Sequence, residues 1–319
     1  MFQAFDRQSG DILWQSITSA AGHLDYGNSP RATPLIYDSL VFTLGAFGHL
    51  SCLDIETGIA LWQINLQREF SAPIPIWGFC GSPIVVDDQL ILQTGAPEAS
   101  VVALDLVSGE VLWKASGPEA VYASPVKFGS QIISLDGDGI VAWNFESGST
   151  QWRIAPTVTG DFGVPSAVPT EYGLLMTSEN NGTRLYKYDG KAAKDELLGH
   201  VKRVAPNSHT PVVVDSSAFV AHKKLYSLSL ENQLEENWVI NDRAFRGYTS
   251  LLASNSKLLA TTANCELILI DIADGKIVNR LRLAEDNMRT LAHPAIVGTD
   301  IFVRVGKKLM CIDLADSGQ

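Results

Sequence analysis

Apolar and polar residues alternate along this chain in short runs, each about five residues long and closed by Asp, Gly, Ser or Pro. One stretch shows the pattern well. Runs rich in β-branched and aromatic residues occupy 33–37, 40–44, 49–54 and 59–64, with turn residues between them. That spacing predicts four short antiparallel strands joined by tight turns. A Thr-Pro or Ser-Pro pair opens several of the first strands, at Thr33, Ser82, Ser124 and Thr210. Proline is tolerated there because the first residue of a strand need not donate to the ladder.

The four-strand unit repeats. A hydrophobe, Asp or Asn, two variable residues, Thr or Ser, Gly, three residues and Trp recur in order. The copies run Asp6, Ser9, Gly10, Trp14; Asp54, Thr57, Gly58, Trp62; Asp105, Ser108, Gly109, Trp113; and Asn144, Ser147, Gly148, Trp152. Weaker copies follow at 187–190, 228–238 (keeping Trp238), 270–279 and 312–313. Anchored on Asp6, Asp54, Asp105, Asn144, Tyr188, Ser229, Asp271 and Asp313, the units are 48, 51, 39, 44, 41, 42 and 42 residues apart. A period near forty with four strands per unit predicts an all-β propeller, one domain over 1–319. The turn Asp caps its own downstream backbone, and Gly takes positive φ. Trp14, Trp62, Trp113, Trp152 and Trp238 then serve as structural docking residues, burying area between adjacent blades.

Blade number follows from counting strands. Two N-terminal strands (2–6, 12–16), six complete units and three C-terminal strands (295–297, 301–305, 308–313) total 29, against 32 for eight blades and 28 for seven. The expectation is an eight-bladed propeller with an incomplete seam, its missing strands upstream together with any signal peptide. The alternative is a seven-bladed ring in which 12–16 completes the last blade.

Composition narrows the function. The formal charge of −11 and pI near 5.0 argue against nucleic acid and anionic membrane surfaces as partners. No apolar run is long enough to span a membrane as a helix. Cys52, Cys80, Cys265 and Cys311 match no metal, haem or disulfide spacing and read as small buried reduced residues. Asp136-Gly137-Asp138-Gly139 lacks the remaining ligands of a calcium loop and reads as a tight turn. No nucleophile elbow, zinc-protease helix or phosphate loop occurs, so no catalytic, cofactor-binding or metal residue is assigned.

The Ala/Cys-x-Asp-x-x-Thr/Ser-Gly-x-x-x-Trp motif resembles the tryptophan-docking motif of the pyrroloquinoline quinone (PQQ) repeat superfamily. The resemblance is strong over 1–155 and weak near 185–200. That superfamily includes eight-bladed quinoprotein alcohol dehydrogenases and non-enzymatic relatives of the BamB type. The dehydrogenases imply adjacent cysteines at the quinone, a calcium cage of Glu, Asn and Asp, and an Asp base. This chain has no Cys-Cys pair and no motif onto which that cage maps. The resemblance therefore implies a non-catalytic binding or assembly scaffold, monomeric, with a protein partner or small, anionic ligand and no bound cofactor. A PQQ- and calcium-dependent dehydrogenase is the first alternative and a BamB-like outer-membrane assembly factor the second. The resemblance implies a periplasmic or other extracytoplasmic location if a signal peptide lies upstream.

Binding residues are expected on the links between units, which gather on one face because strand direction alternates. The candidates are His23, Asp25, Tyr26 and Arg31; Arg68, Glu69 and Trp77; Tyr122; Asp161 and Phe162; Arg203 and His209; Arg243, Arg246 and Tyr248; and Arg289 and His293. Arginines concentrate in the last three links of an acidic chain, which points to an anionic group or acidic peptide. His209 and His293 occupy near-equivalent positions before first strands, and a metal site there would need carboxylates to converge on them.

Overall fold

The computed structural model describes residues 1–285 and 288–314, which form 29 strands and two short helices. The strands build six four-stranded antiparallel sheets in sequential order, a two-stranded sheet (2–16) and a three-stranded sheet (295–313). This is an all-β propeller fold of four-stranded antiparallel blades. The eight-bladed expectation is corrected: the two incomplete sheets hold five strands where two full blades need eight, so the strands amount to seven blades and one over. Ile12–Ser16, assigned to the last blade in the seven-bladed alternative, pairs with Phe2–Phe5.

Two compact units are present, Met1–Ala167 and Val168–Gln319. The first holds the two-stranded sheet and the 35–65, 84–115 and 126–154 blades. The second holds the 168–201, 212–240 and 249–282 blades and the three-stranded sheet. The expected strands at 40–44 and 49–54 form as Leu40–Leu44 and His49–Asp54. The first strand, Leu35–Tyr37, starts after Pro34, which has no N–H for the ladder.

The two inner strands of a blade are buried on both faces, and the period of two divides their side chains between neighbours. In the 84–115 blade, Leu90, Leu92, Val102 and Leu104 pack towards Phe42 and Leu50 of the preceding blade. Ile91, Val101 and Ala103 face Ile132, Val141 and Trp143 of the next. In the second unit the 212–240 blade likewise divides, Val220 and Leu228 joining one core, Phe219 and Leu225 the other.

The tryptophan motif has three physical parts. Across its own hairpin, each indole faces a small residue: Ala4 opposite Trp14, Cys52 opposite Trp62, Ala103 opposite Trp113, Ala142 opposite Trp152, Ser227 opposite Trp238. On the next blade, the indole lies on the turn glycine. A Cβ on Gly58, Gly109, Gly148 or Gly275 would sit 2.5, 2.7, 2.4 or 2.8 Å from the ring of Trp14, Trp62, Trp113 or Trp238. Each of those indoles also donates from Nε1 to the carbonyl just after the turn Asp or Asn. The acceptors are Ile55 (2.8 Å), Leu106, Phe145 and Ile272 (2.9 Å each). Trp152 donates to Gln131 Oε1 in its own blade. The degenerate copies show the converse. The 212–240 turn has no glycine and passes through left-handed Gln233 and Leu234. The preceding outer strand presents Gly199, where a Cβ would meet the Gln233 carbonyl at 2.5 Å.

The turn acids behave as read. Asp54 accepts from the Thr57 hydroxyl and N–H, and Asp105 from the Ser108 N–H and hydroxyl; both carboxyls are held below their ordinary range by those bonds. Asp136 and Gly139 pair across a tight hairpin, with the Asp138 N–H bonded to Asp136 Oδ1. The buried Asp136 carboxylate also pairs with Arg153, which the sequence pattern did not indicate. Among the cysteines, all free, Cys52 and Cys265 are buried as expected, but Cys80 is half-buried and Cys311 exposed on the edge strand of the three-stranded sheet.

Candidate functional site

Two groups of link residues come together, one in each unit. In the first unit the links are held by hydrogen bonds between blades. The N–H of Thr33 donates to Ser82 Oγ, that of Ser82 to Ser124 Oγ, and that of Ser124 to Ser166 Oγ, at 2.9, 2.9 and 3.0 Å. These residues lie shortly before first strands, so each of these links is tied to the next. On this base Trp77 stacks obliquely against both Tyr122 and Phe162, with ring centroids 4.8 and 4.7 Å apart. The Tyr122 N–H donates to the Gly163 carbonyl, and a Cβ on Gly163 would lie 2.7 Å from Val121, so three successive links meet at close range. Burial raises the Tyr122 hydroxyl above its ordinary pKa and takes the Cys80 thiol beneath it to about 11, so both stay neutral. On the same links as these rings, Ile74, Ile76 and Val158 are exposed, Ile76 to 76% and Phe162 to 49%. Exposed apolar side chains carried by links locked to one another are a usual feature of protein-docking sites.

The other first-unit candidates do not join this group. Arg31 clasps its own loop, donating to the carbonyls of Asp25, Gly27 and Ser29. His23 and Tyr26 stand exposed on that loop. Arg68 and Glu69 lie on the exposed side of a one-turn helix, Leu66–Phe70, capped by the Asn65 side chain. Asp161 is half-buried beside Phe162.

In the second unit, the links before the 212–240 and 249–282 blades and the last sheet line a small, partly open cleft of about 30 Å³. His209, Tyr248 and His293, all candidates from the sequence, line it together with Thr261 and Thr290. His209 is buried, and its Nε2 accepts the Ala221 N–H at 3.1 Å. Desolvation first, then the nearby His222 and His293, push its pKa down to about 4, so the ring is neutral near pH 7. His293 stands at the exposed rim and is lowered in the same direction by partial desolvation. Arg203 is paired with Glu236. Arg243 and Arg246 belong to a short 3₁₀ turn capped by Asp242. Those two and Arg289 are exposed and do not line the cleft. Among the described residues no group of three or more His, Cys, Asp or Glu side chains is placed to hold a metal ion. No helix among them is long and apolar enough to cross a membrane.

Sequence reasoning does not reach Ile76 or Thr261, which carry no charge or ring to single them out, nor the Ser/Thr relay, although the relay's signal, a Ser or Thr shortly before the first strands, is in the sequence.

Comparison with known proteins places these observations. A family model described as outer membrane protein assembly factor BamB matches residues 2–126 and 99–319. BamB of Escherichia coli strain K12 is 27% identical over 181 residues, covering 55% of this chain and 42% of the relative. The matched stretch thus spans less than half the length of that relative. The crystal structure of BamB from Moraxella catarrhalis superposes with a TM-score of 0.66 at 15% identity, covering 92% of this chain and 83% of the other. Quinohemoprotein alcohol dehydrogenase ADHIIG from Pseudomonas putida HK5 gives a TM-score of 0.65 at 12% identity, covering 94% of this chain and 66% of the other. Both structural likenesses concern the fold.

Proposed function

This chain belongs to the family of the outer membrane protein assembly factor BamB, and on that premise we propose that it is a non-catalytic, extracytoplasmic scaffold for outer membrane protein assembly. It docks a protein partner on the apolar link surface around Trp77, Tyr122 and Phe162. One observation carries this reading: three aromatic rings from successive links are locked together while Ile76 and Phe162 remain largely open to solvent. Apolar side chains on a rigid base lose little entropy on binding, which favours a partner with a complementary apolar face. The net charge of −11 opposes nucleic acid and anionic lipid as that partner.

Ile76→Asp tests the reading, because a residue this exposed contributes little to folding and its substitution should change stability by less than about 0.5 kcal/mol. Tagged full-length protein carrying Ile76→Asp should recover about tenfold less of the outer membrane protein assembly machinery than the parent, with an unchanged melting temperature. Equal recovery would overturn the docking surface.

A second reading, a quinone-dependent dehydrogenase, draws on the likeness to the alcohol dehydrogenase fold. The residues present do not fit it: the cysteines are separate and free, and no cluster of ligating side chains stands ready for calcium among the described residues. Adding PQQ and calcium should produce neither a stoichiometric quinone absorbance nor dye-linked alcohol oxidation. Both together would replace the scaffold reading.

A further inference from the structure

The cleft of the second unit presents two buried polar atoms that have no hydrogen-bond partner among the described residues, His209 Nδ1 and Thr261 Oγ1. The residues that carry them are only 7% and 3% exposed. Leaving such groups unsatisfied costs about 1–3 kcal/mol each, so their retention calls for a ligand or solvent that they serve. The other two threonines of the wall are already engaged, Thr290 donating to the Arg304 carbonyl and Thr249 to that of Gly247.

The chemistry of the free pair is set by hydrogen bonding. Because His209 Nε2 accepts the Ala221 N–H, it carries no proton, and the neutral ring must bear its proton on Nδ1. Nδ1 is therefore a donor. A cation could bind there only if the proton moved to Nε2, which would destroy the bond to Ala221. The site selects an acceptor, and among the described residues no acidic side chain lines it to repel a negative one. Among the described residues no Arg or Lys lines it either, which disfavours a multiply charged phosphate and suits a single negative charge. The cleft's volume of about 30 Å³, against the roughly 10–15 Å³ that one water needs on the same measure, matches two adjacent oxygens, and the cleft is partly open to solvent for the rest of a ligand.

We propose that this cleft binds a carboxylate, whose oxygens accept from His209 Nδ1–H and the Thr261 hydroxyl. The carboxylate comes from a small free acid or from the terminus of a peptide. The assignment is independent of the apolar surface around Trp77.

The test uses the full chain with ¹⁵N-labelled histidine, titrated separately with sodium acetate, N-acetyl-glycyl-glycine, and the C-terminal amide of that peptide. Acetate and the free-acid peptide should each shift the His209 Nδ1 resonance saturably, and the amide should not. Binding of the acid peptide about tenfold tighter than acetate assigns the site to a chain terminus, and comparable affinities assign it to a small acid. Thr261→Val removes a hydroxyl that has no protein partner, so it should fold at least as well as the parent and weaken acetate binding about tenfold. His209→Gln keeps an acceptor for Ala221 on Oε1 but moves the remaining N–H donor away from the Nδ1 position, and should weaken acetate binding about tenfold. A His209 resonance indifferent to both acids, an amide that binds as well as the acid, or parental affinity in Thr261→Val would each overturn the assignment.

Discussion

Trp62→Ala should lower the stability of the first unit by about 3 kcal/mol, at the low end for large-to-small aromatic replacements because the indole is half-buried. The indole lies on Gly109, contacts Phe42 at 6.0 Å between centroids and donates to the Leu106 carbonyl. Trp62→Phe keeps most of the area and loses the N–H, so it should cost only about 1 kcal/mol. The glycine beneath supplies a stricter comparison. Gly109 and Gly10 share nearly the same left-handed conformation, φ +73° and +76°. A Cβ on Gly109 would strike Trp62 at 2.7 Å, whereas one on Gly10 would meet nothing within 4 Å. Gly10→Ala therefore reports the conformational cost alone, about 1 kcal/mol. Gly109→Ala adds displacement of the indole and should exceed it by roughly 1–2 kcal/mol, as overpacking does elsewhere. Urea denaturation of the four variants should rank Trp62→Ala as the most destabilised, then Gly109→Ala, with Gly10→Ala and Trp62→Phe mildest. If Gly109→Ala is as mild as Gly10→Ala, the indole is not held on the glycine.

That comparison marks what the amino-acid sequence could and could not disclose. Strand positions were legible because inner strands buried on both faces must be continuously apolar and short, and tight turns demand Asp, Gly and Ser. The recurrence of Trp eight residues after Asp was legible as docking. Its partners were not, since the small residue opposite and the glycine beneath belong to different hairpins and meet only in three dimensions. The same holds for the candidate site. The links can be picked out from the sequence, yet which of their residues converge depends on loop geometry. Trp77, Tyr122 and Phe162 came together, as did His209, Tyr248 and His293. Arg31 and Arg203, chosen for their charge, are engaged with loop carbonyls and with Glu236. A guanidinium with five donors is readily consumed by nearby acceptors, so arginines in links are weaker indicators of a ligand than buried histidines.

The buried histidine also sets a pH response. For a His whose folded pKa lies below its unfolded one, the unfolded chain takes up the proton first. Stability is then full above the unfolded value of 6.5, and is lost as pH falls towards the folded value of about 4. The gap of about 2.5 pK units corresponds to roughly 3 kcal/mol in total at about 1.4 kcal/mol per unit, of which about 2 kcal/mol is gone by pH 5. His222 and His293 are lowered too and act with the same sign, whereas the turn carboxylates Asp54 and Asp105 are depressed and contribute only at lower pH. His209→Gln separates these contributions, because it preserves an acceptor for the Ala221 N–H and removes the one deeply buried proton site of the group. The parent should lose about 2 kcal/mol more than His209→Gln between pH 7 and pH 5, read as a larger fall in the denaturation midpoint of the second unit. Equal losses in the two proteins would mean that His209 takes up its proton without opening the cleft, and that the ring is hydrated in the folded state.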